Sequence, residues 1–277
     1  MPKLRKTRIL IATLALSVTA IDFAAAQGRP MAATTVPNSY APTRPRTSAA
    51  IYPWRKNITA SVFWVGEDAS TNNPTHNRAS SWDPKWMENY GGFDTPDKSK
   101  RTHDCCPKAF TPKLNPFYVA LPYNDRIDWK TTKTSARRAV PWFRNTFEEE
   151  GKSVCCGRWV AVHCRGKTCF AQWSDVGPFE TDDWSYVFGK APPKNTKNKA
   201  AGIDISPAVR DYLGIDGGLA KVHWRFVELR EIPLGPWRKY GENNHFINRA
   251  KHLDRAQREE IERLRKARDE YLRSGRR

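Results

Sequence analysis

Apolar residues gather in short runs separated by long polar stretches. NITASVFWVG (57–66) is the first run with strand character: it is β-branched and aromatic, and it ends in glycine. FYVALPYN (117–124) reads as a second strand. RWVAVHC (158–164) and the FAQWS that follows CRGKTC read as a hairpin with RGKT as its turn. KVHWRFVEL (221–229) is a closing strand rich in Val, Trp and Phe. SPAVRDYLGI (206–215) has helix punctuation: Ser206 or Asp204 to cap it, Pro207 in the first turn and Gly214 to end it. The pattern predicts a mainly β domain of short strands with one short helix, a small β-barrel with long loops.

The polar stretch from Glu67 to Asn115 is rich in Gly, Pro, Asn and Asp. An irregular segment of that length inside a compact domain is functional or held by cross-links. After Pro233 the composition shifts. GPWRKYGENNHF reads as a connector, and from about Ile247 the period becomes helical, with Ile261, Leu264, Ala267 and Tyr271 or Leu272 on one face. Glu259 with Arg263 and Glu262 with Lys266 are spaced for i,i+4 pairing. From Arg249 to the end there are 11 Lys and Arg against 6 Asp and Glu, a net +5. This basic amphipathic helix can pack on the barrel, pair with another chain or lie on an anionic surface.

The first residues have another character. MPKLRKTR is basic, ILIATLALSVTAI is an apolar run short for a bilayer span, and Ala24, Ala25 and Ala26 precede Gln27. That three-part pattern predicts a Sec-type signal peptide over residues 1–26 and an exported protein, periplasmic or extracellular. Residues 27–51 are rich in Pro, Thr, Ser and Ala and read as a disordered linker. Residues 52–232 then form the barrel domain, and residues 233–277 the connector and basic helix.

Export changes the meaning of two bulk features. The six cysteines, Cys105, Cys106, Cys155, Cys156, Cys164 and Cys169, are even in number and suggest a disulfide framework of open connectivity. In this reading Cys164 faces Cys169 across the hairpin, and the vicinal pairs pin the long loops. No CxxC spacing is present, so no metal is expected, and no motif asks for a cofactor. The net charge of +18 would point to nucleic acid in a cytosolic chain. In an exported one no nucleic-acid partner is expected, and the polyanions within reach are the cell envelope and acidic polysaccharide.

Two stretches carry a resemblance together: Ser174-Asp175-Val176-Gly177-Pro178-Phe179, and Ile203-Asp204-Ile205-Ser206 followed by Leu213-Gly214. With the opening and closing strands they resemble the RlpA-like double-psi β-barrel proteins over about residues 58–228. Those proteins are related to expansins, barwin-like proteins, family 45 endoglucanases and some lytic transglycosylases. The resemblance implies a six-stranded double-psi β-barrel with a groove for peptidoglycan or another β-linked polysaccharide, and no particular activity. It makes Asp175 the candidate general acid and Asp204 its partner. Burial at a strand end would raise the pKa of Asp175 and keep it protonated. Each acid also has a local reading, Asp175 as a turn residue before Gly-Pro and Asp204 as a helix cap.

The chain departs from the pattern at Tyr118, where RlpA-type enzymes carry a histidine. Tyr118 could bond a sugar or fill the core. Asp125, Glu67 and Asp68 are substitute carboxylates, and Asp104 in THDCC is a weaker one. The 11 tryptophans suit glycan stacking. Trp64, Trp82, Trp86, Trp173 and Trp184 fall on or near groove-forming segments, with Trp184 the best-placed sugar platform and Trp173 a second. Trp159 and Trp224 alternate with apolar strand residues and read as core. Two functions follow, an enzyme that cleaves a β-linked glycan with an Asp general acid, or an expansin-like module that only binds or loosens it.

Overall fold

A computed structural model describes residues 52–71 and 73–274. The expected signal peptide and most of the linker lie outside the described residues. Six strands form a closed barrel: β1 (Arg55–Val62), β2 (Tyr118–Leu121), β3 (Trp159–Cys164), β4 (Lys167–Val176), β5 (Ala201–Ile205) and β6 (Leu219–Phe226). Around the barrel the order is β1-β5-β2-β4-β3-β6. The pairs β1/β5 and β2/β4 are parallel, and the other four are antiparallel. Closure leaves no exposed sheet edge. The helices are short apart from the last: α1 (Trp86–Tyr90), α2 (Ala136–Ala139), α3 (Phe143–Thr146), α4 (Trp184–Val187), α5 (Pro207–Leu213) and α6 (His245–Ser274).

The barrel interior is aromatic. Trp173, Trp224 and Phe226 are buried beside Val160, Val162, Ile203 and Ile205. Trp159 joins them, as its strand position predicts. Trp237 is buried against Phe117, Phe170 and Tyr212, so the segment after Pro233 packs on the barrel. The run 57–66 divides. Its first part is β1, while Phe63 and Val65 turn into a second core with Trp86, Tyr90 and Tyr118. Ser206 caps α5, its side chain accepting from Val209 N, and Gly214 closes the helix at φ 68. The capping role is therefore Ser206's and not Asp204's.

No disulfide joins the six cysteines in the structure, so the expected pinning of the loops by cross-links finds no support there. The hairpin turn is only Arg165 and Gly166, both left-handed at φ 48 and 80, a two-residue turn that matches strand twist. Its register sets Cys164 opposite Lys167 and Cys169 opposite Val162, so the two thiols are diagonal and not paired across the ladder. The long loop after β1 is held by ionic and hydrogen-bonded contacts. Arg101, fully buried, meets Asp94 Oδ1 at 2.5 Å and Asp211 Oδ2 at 3.1 Å, and it donates to Thr95 O and Cys105 O. Tyr118 Oη donates to Asp94 Oδ2 at 2.8 Å and accepts from Val65 N at 3.0 Å. A buried charge is tolerated when paired and hydrogen-bonded in this way.

Helix α6 has no buried residue over its 30 positions. Asn244 caps it, accepting from Phe246 N at 3.0 Å. Its ion pairs are Arg255 with Glu259, Arg263 with Glu260 and Arg268 with Asp269, and the two expected from spacing are not among them. Leu253, Ile261, Leu264, Tyr271 and Leu272 are exposed along it. Among the described residues no helix is long and apolar enough to cross a membrane.

Candidate functional site

Strand register builds the site. Ala120 on β2 pairs with Asp175 on β4 at one side and with Asp204 on β5 at the other. Asp204 pairs in turn with Ser61 on β1. Ser61, Asp204, Ala120 and Asp175 therefore form one lateral row across four adjacent strands. In-register neighbours on paired strands face the same side, so the two aspartates flank a methyl group. Two strand spacings set their Cα atoms about 10 Å apart. Gly177 closes over the row, where an added Cβ would lie 3.2 Å from Asp204 Oδ2 and 3.8 Å from Ala120 Cβ.

All four residues line an open cleft of about 740 Å³. One wall is the loop carrying Glu67, Asn77 and Ser81, and the other is formed by residues 176–181 with Lys197 and Asn198. The loop folds back on itself through Gly66 N to Asn77 O and Asn77 N to Glu67 O, both 2.8 Å, and that turn brings Glu67 to the cleft.

Three carboxyls in the cleft titrate high. Burial pushes Asp175 up to about 6, against hydrogen bonds from the Ser81 and Val176 amides. The Ser81 amide donates to Asp175 Oδ1 at 2.8 Å. Burial pushes Asp204 up to about 7, the Ser61 hydroxyl that donates to Oδ1 pulls it down, and the charges of Asp175 and Glu67 add to the rise. Burial also pushes Glu67 up to about 7, against hydrogen bonds including Asn77 Nδ2 to Oε2 at 3.0 Å. Carboxyls poised near neutrality in a cleft can give and take a proton there.

The other expected site residues lie elsewhere. Tyr118 is buried in the second core, and its hydroxyl is committed to Asp94 and Val65, so it does not reach the cleft. Asp125 is fully buried and holds Ser153 Oγ at 2.8 Å and Val154 N at 2.6 Å. Trp173 is fully buried against Trp82, Phe188 and Phe226. Its Nε1 donates to Asp175 O at 2.8 Å, so it steadies the aspartate from behind and offers no face to a sugar. Trp184 is 47% exposed but stands outside the cleft lining. Asp68 is exposed and paired with Arg78, and Asp104 accepts from Tyr240.

The phenylalanines in the lining are Phe63 and Phe179, with the imidazole of His76 on the loop wall. Phe179 is left-handed at φ 59, an unusual conformation for a bulky residue, and it is half-buried at the cleft. It was present in the Asp175 motif, but nothing in the sequence distinguishes it from a core phenylalanine. Among the described residues no group of three or more His, Cys, Asp or Glu side chains is arranged to hold a metal ion.

No family model and no curated protein matches the chain. Among solved structures it is similar to a Streptomyces papain inhibitor at 17% identity and a TM-score of 0.24, over 63% of this chain and 94% of that one. A likeness of that size carries no weight for function.

Proposed function

We propose that the chain is an exported, glycan-active protein of the double-psi β-barrel kind, acting on peptidoglycan or another β-linked polysaccharide. The observation that carries this reading is the row in which Asp175 and Asp204 flank Ala120 on a cleft floor, both held near neutrality. The parallel β1/β5 and β2/β4 pairs support the fold assignment.

In this reading Asp175 is the general acid. Below pH 6 its carboxyl keeps its proton and passes it to the glycosidic oxygen as the bond to the anomeric carbon breaks. A hydroxyl of the same sugar, or water, attacks that carbon and yields its proton to the Asp175 carboxylate. Asp204, fixed by Ser61 and protonated at the same pH, orients the sugar as a hydrogen-bond donor beside the bond that breaks. Charge supports the setting too, because a net +18 draws the chain to the anionic cell envelope.

Tyr118 favours a second reading, an expansin-like module that binds or loosens the polymer without cutting it. The place of the family's histidine is taken here by a buried hydroxyl committed to Asp94. The two readings separate when purified protein is incubated with peptidoglycan sacculi and with soluble β-glucans and the supernatant is analysed by mass spectrometry. Released anhydro-muropeptides or oligosaccharides are expected of the enzyme. No release, with retention on an insoluble glycan, leaves the binding module. Neither release nor retention overturns both.

A further inference from the structure

Between α4 and β5 the backbone does something rare. Asn198, Lys199 and Ala200 are consecutively left-handed, at φ 48, 56 and 55, and none is glycine. Single residues visit this region, but successive ones are disfavoured by their Cβ atoms. Such a segment persists only where its surroundings over-determine it. Here Asn195, buried, receives Lys197 N on Oδ1 at 2.9 Å and donates to Lys197 O and Ala201 O. Thr59 Oγ1 holds Lys199 O at 2.9 Å.

The strained turn sets Lys197 and Asn198 in the cleft lining. Two other lysines near this wall are occupied: Lys133 pairs with Asp182, and Lys194 Nζ donates to Asp182 O. Lys197 has no carboxylate partner among the described residues. Its ammonium stands 5.0 Å over the ring of Phe179, which also lines the cleft. Glu180 is the charged neighbour on the same wall. At mildly acidic pH the buried Asp175 and the half-buried Asp204 and Glu67 are largely protonated, so a negative group on a ligand would meet little repulsion from them.

We infer that Lys197, presented by the strained 198–200 turn and backed by Phe179, is a specificity-determining residue that reads a carboxylate on the glycan. The ligand is then an acidic polysaccharide, and a neutral β-glucan is the poorer fit. This rests on the glycan reading above and narrows its substrate class. Two polymers share the chemistry: peptide-free peptidoglycan strands, whose carboxylate is on a lactyl ether, and polyuronate, whose carboxylate is on the ring.

Isothermal titration with oligomers of each polymer, and with the same oligomers after chemical reduction of their carboxyl groups, tests the inference. Lys197→Gln is expected to weaken binding of at least one carboxylated oligomer roughly three- to fivefold, the size of an exposed charge pair. It should leave the reduced oligomers unchanged, and Lys197→Arg should retain most of the affinity. Which carboxylated oligomer responds identifies the source. Lys251→Gln, on exposed α6, controls for bulk charge and should change nothing. Equal binding of carboxylated and reduced oligomers, or equal losses in Lys197→Gln and Lys251→Gln, overturns the inference and leaves the glycan reading intact. Failure of every oligomer to bind wild-type protein overturns both.

Discussion

Asp175 and Asp204 stand two strands apart in one row, each in register with Ala120 between them. The negative charge of Asp175 is one of the reasons Asp204 titrates near 7. Like charges disfavour each other's ionisation. Asp175→Asn should therefore lower the pKa of Asp204, read from carboxyl carbon shifts in an NMR titration. An unchanged Asp204 titration would mean that the two acids do not sense each other.

The same shift makes stability depend on pH with a definite sign. The native pKa of Asp204 lies near 7, above the usual 3.8. The fold thus favours the protonated form, and this stabilisation is whole below about pH 4 and is lost as pH rises through 7. Asp204→Asn removes the dependence. In urea unfolding the variant should gain on wild type between pH 4 and 8 by on the order of 3 kcal/mol. A difference that is flat with pH, or that grows toward acid, contradicts the assignment.

Gly177 is needed for space and not for its φ angle. A Cβ there would approach Asp204 Oδ2 to 3.2 Å, tighter than ordinary contact. Gly177→Ala should displace the Asp204 carboxyl from Ser61 and lower glycan turnover or affinity about tenfold, an energy of about 1.4 kcal/mol. Its far-ultraviolet dichroism should match wild type. Full function in Gly177→Ala would show that the position of Asp204 does not matter.

Loop anchoring is tested at Arg101. Arg101→Met leaves Asp94 buried without its partner, which should cost about 3–5 kcal/mol in urea unfolding. Adding Asp94→Asn should recover part of the loss, because the orphaned charge is gone. A loss below about 1 kcal/mol in the single variant would show that the loop is held in another way.

Much of the barrel was legible because strand positions advertise themselves. β-Branched and aromatic runs marked β1, β2, β3, β4 and β6, and Ser206, Pro207 and Gly214 marked α5. β5 came only with the Ile203-Asp204 motif. Register was less legible. A turn of two residues in place of four moved Cys164 opposite Lys167. The acids Asp175 and Asp204 could be found because they belong to the two motifs that carry the resemblance, and Asp175 also reads as a strand end. Tyr118 and Trp173 were misplaced because alternation does not say which face of a strand becomes the interior of a closed barrel. Glu67 depended on a loop folding back through Asn77, and Lys197 on three left-handed residues that no sequence pattern announces.

The central claim is that the Asp175 proton is used on a glycan, and Asp175→Asn tests it most directly. Wild type and variant are incubated with sacculi and with acidic and neutral β-linked oligosaccharides across pH 4–8, and reducing or anhydro ends are counted by mass spectrometry. The account predicts release by wild type that declines as pH rises through about 6, and release reduced at least a hundredfold in Asp175→Asn with glycan binding retained. Undiminished release by the variant, or wild-type release that rises through pH 6, would contradict it.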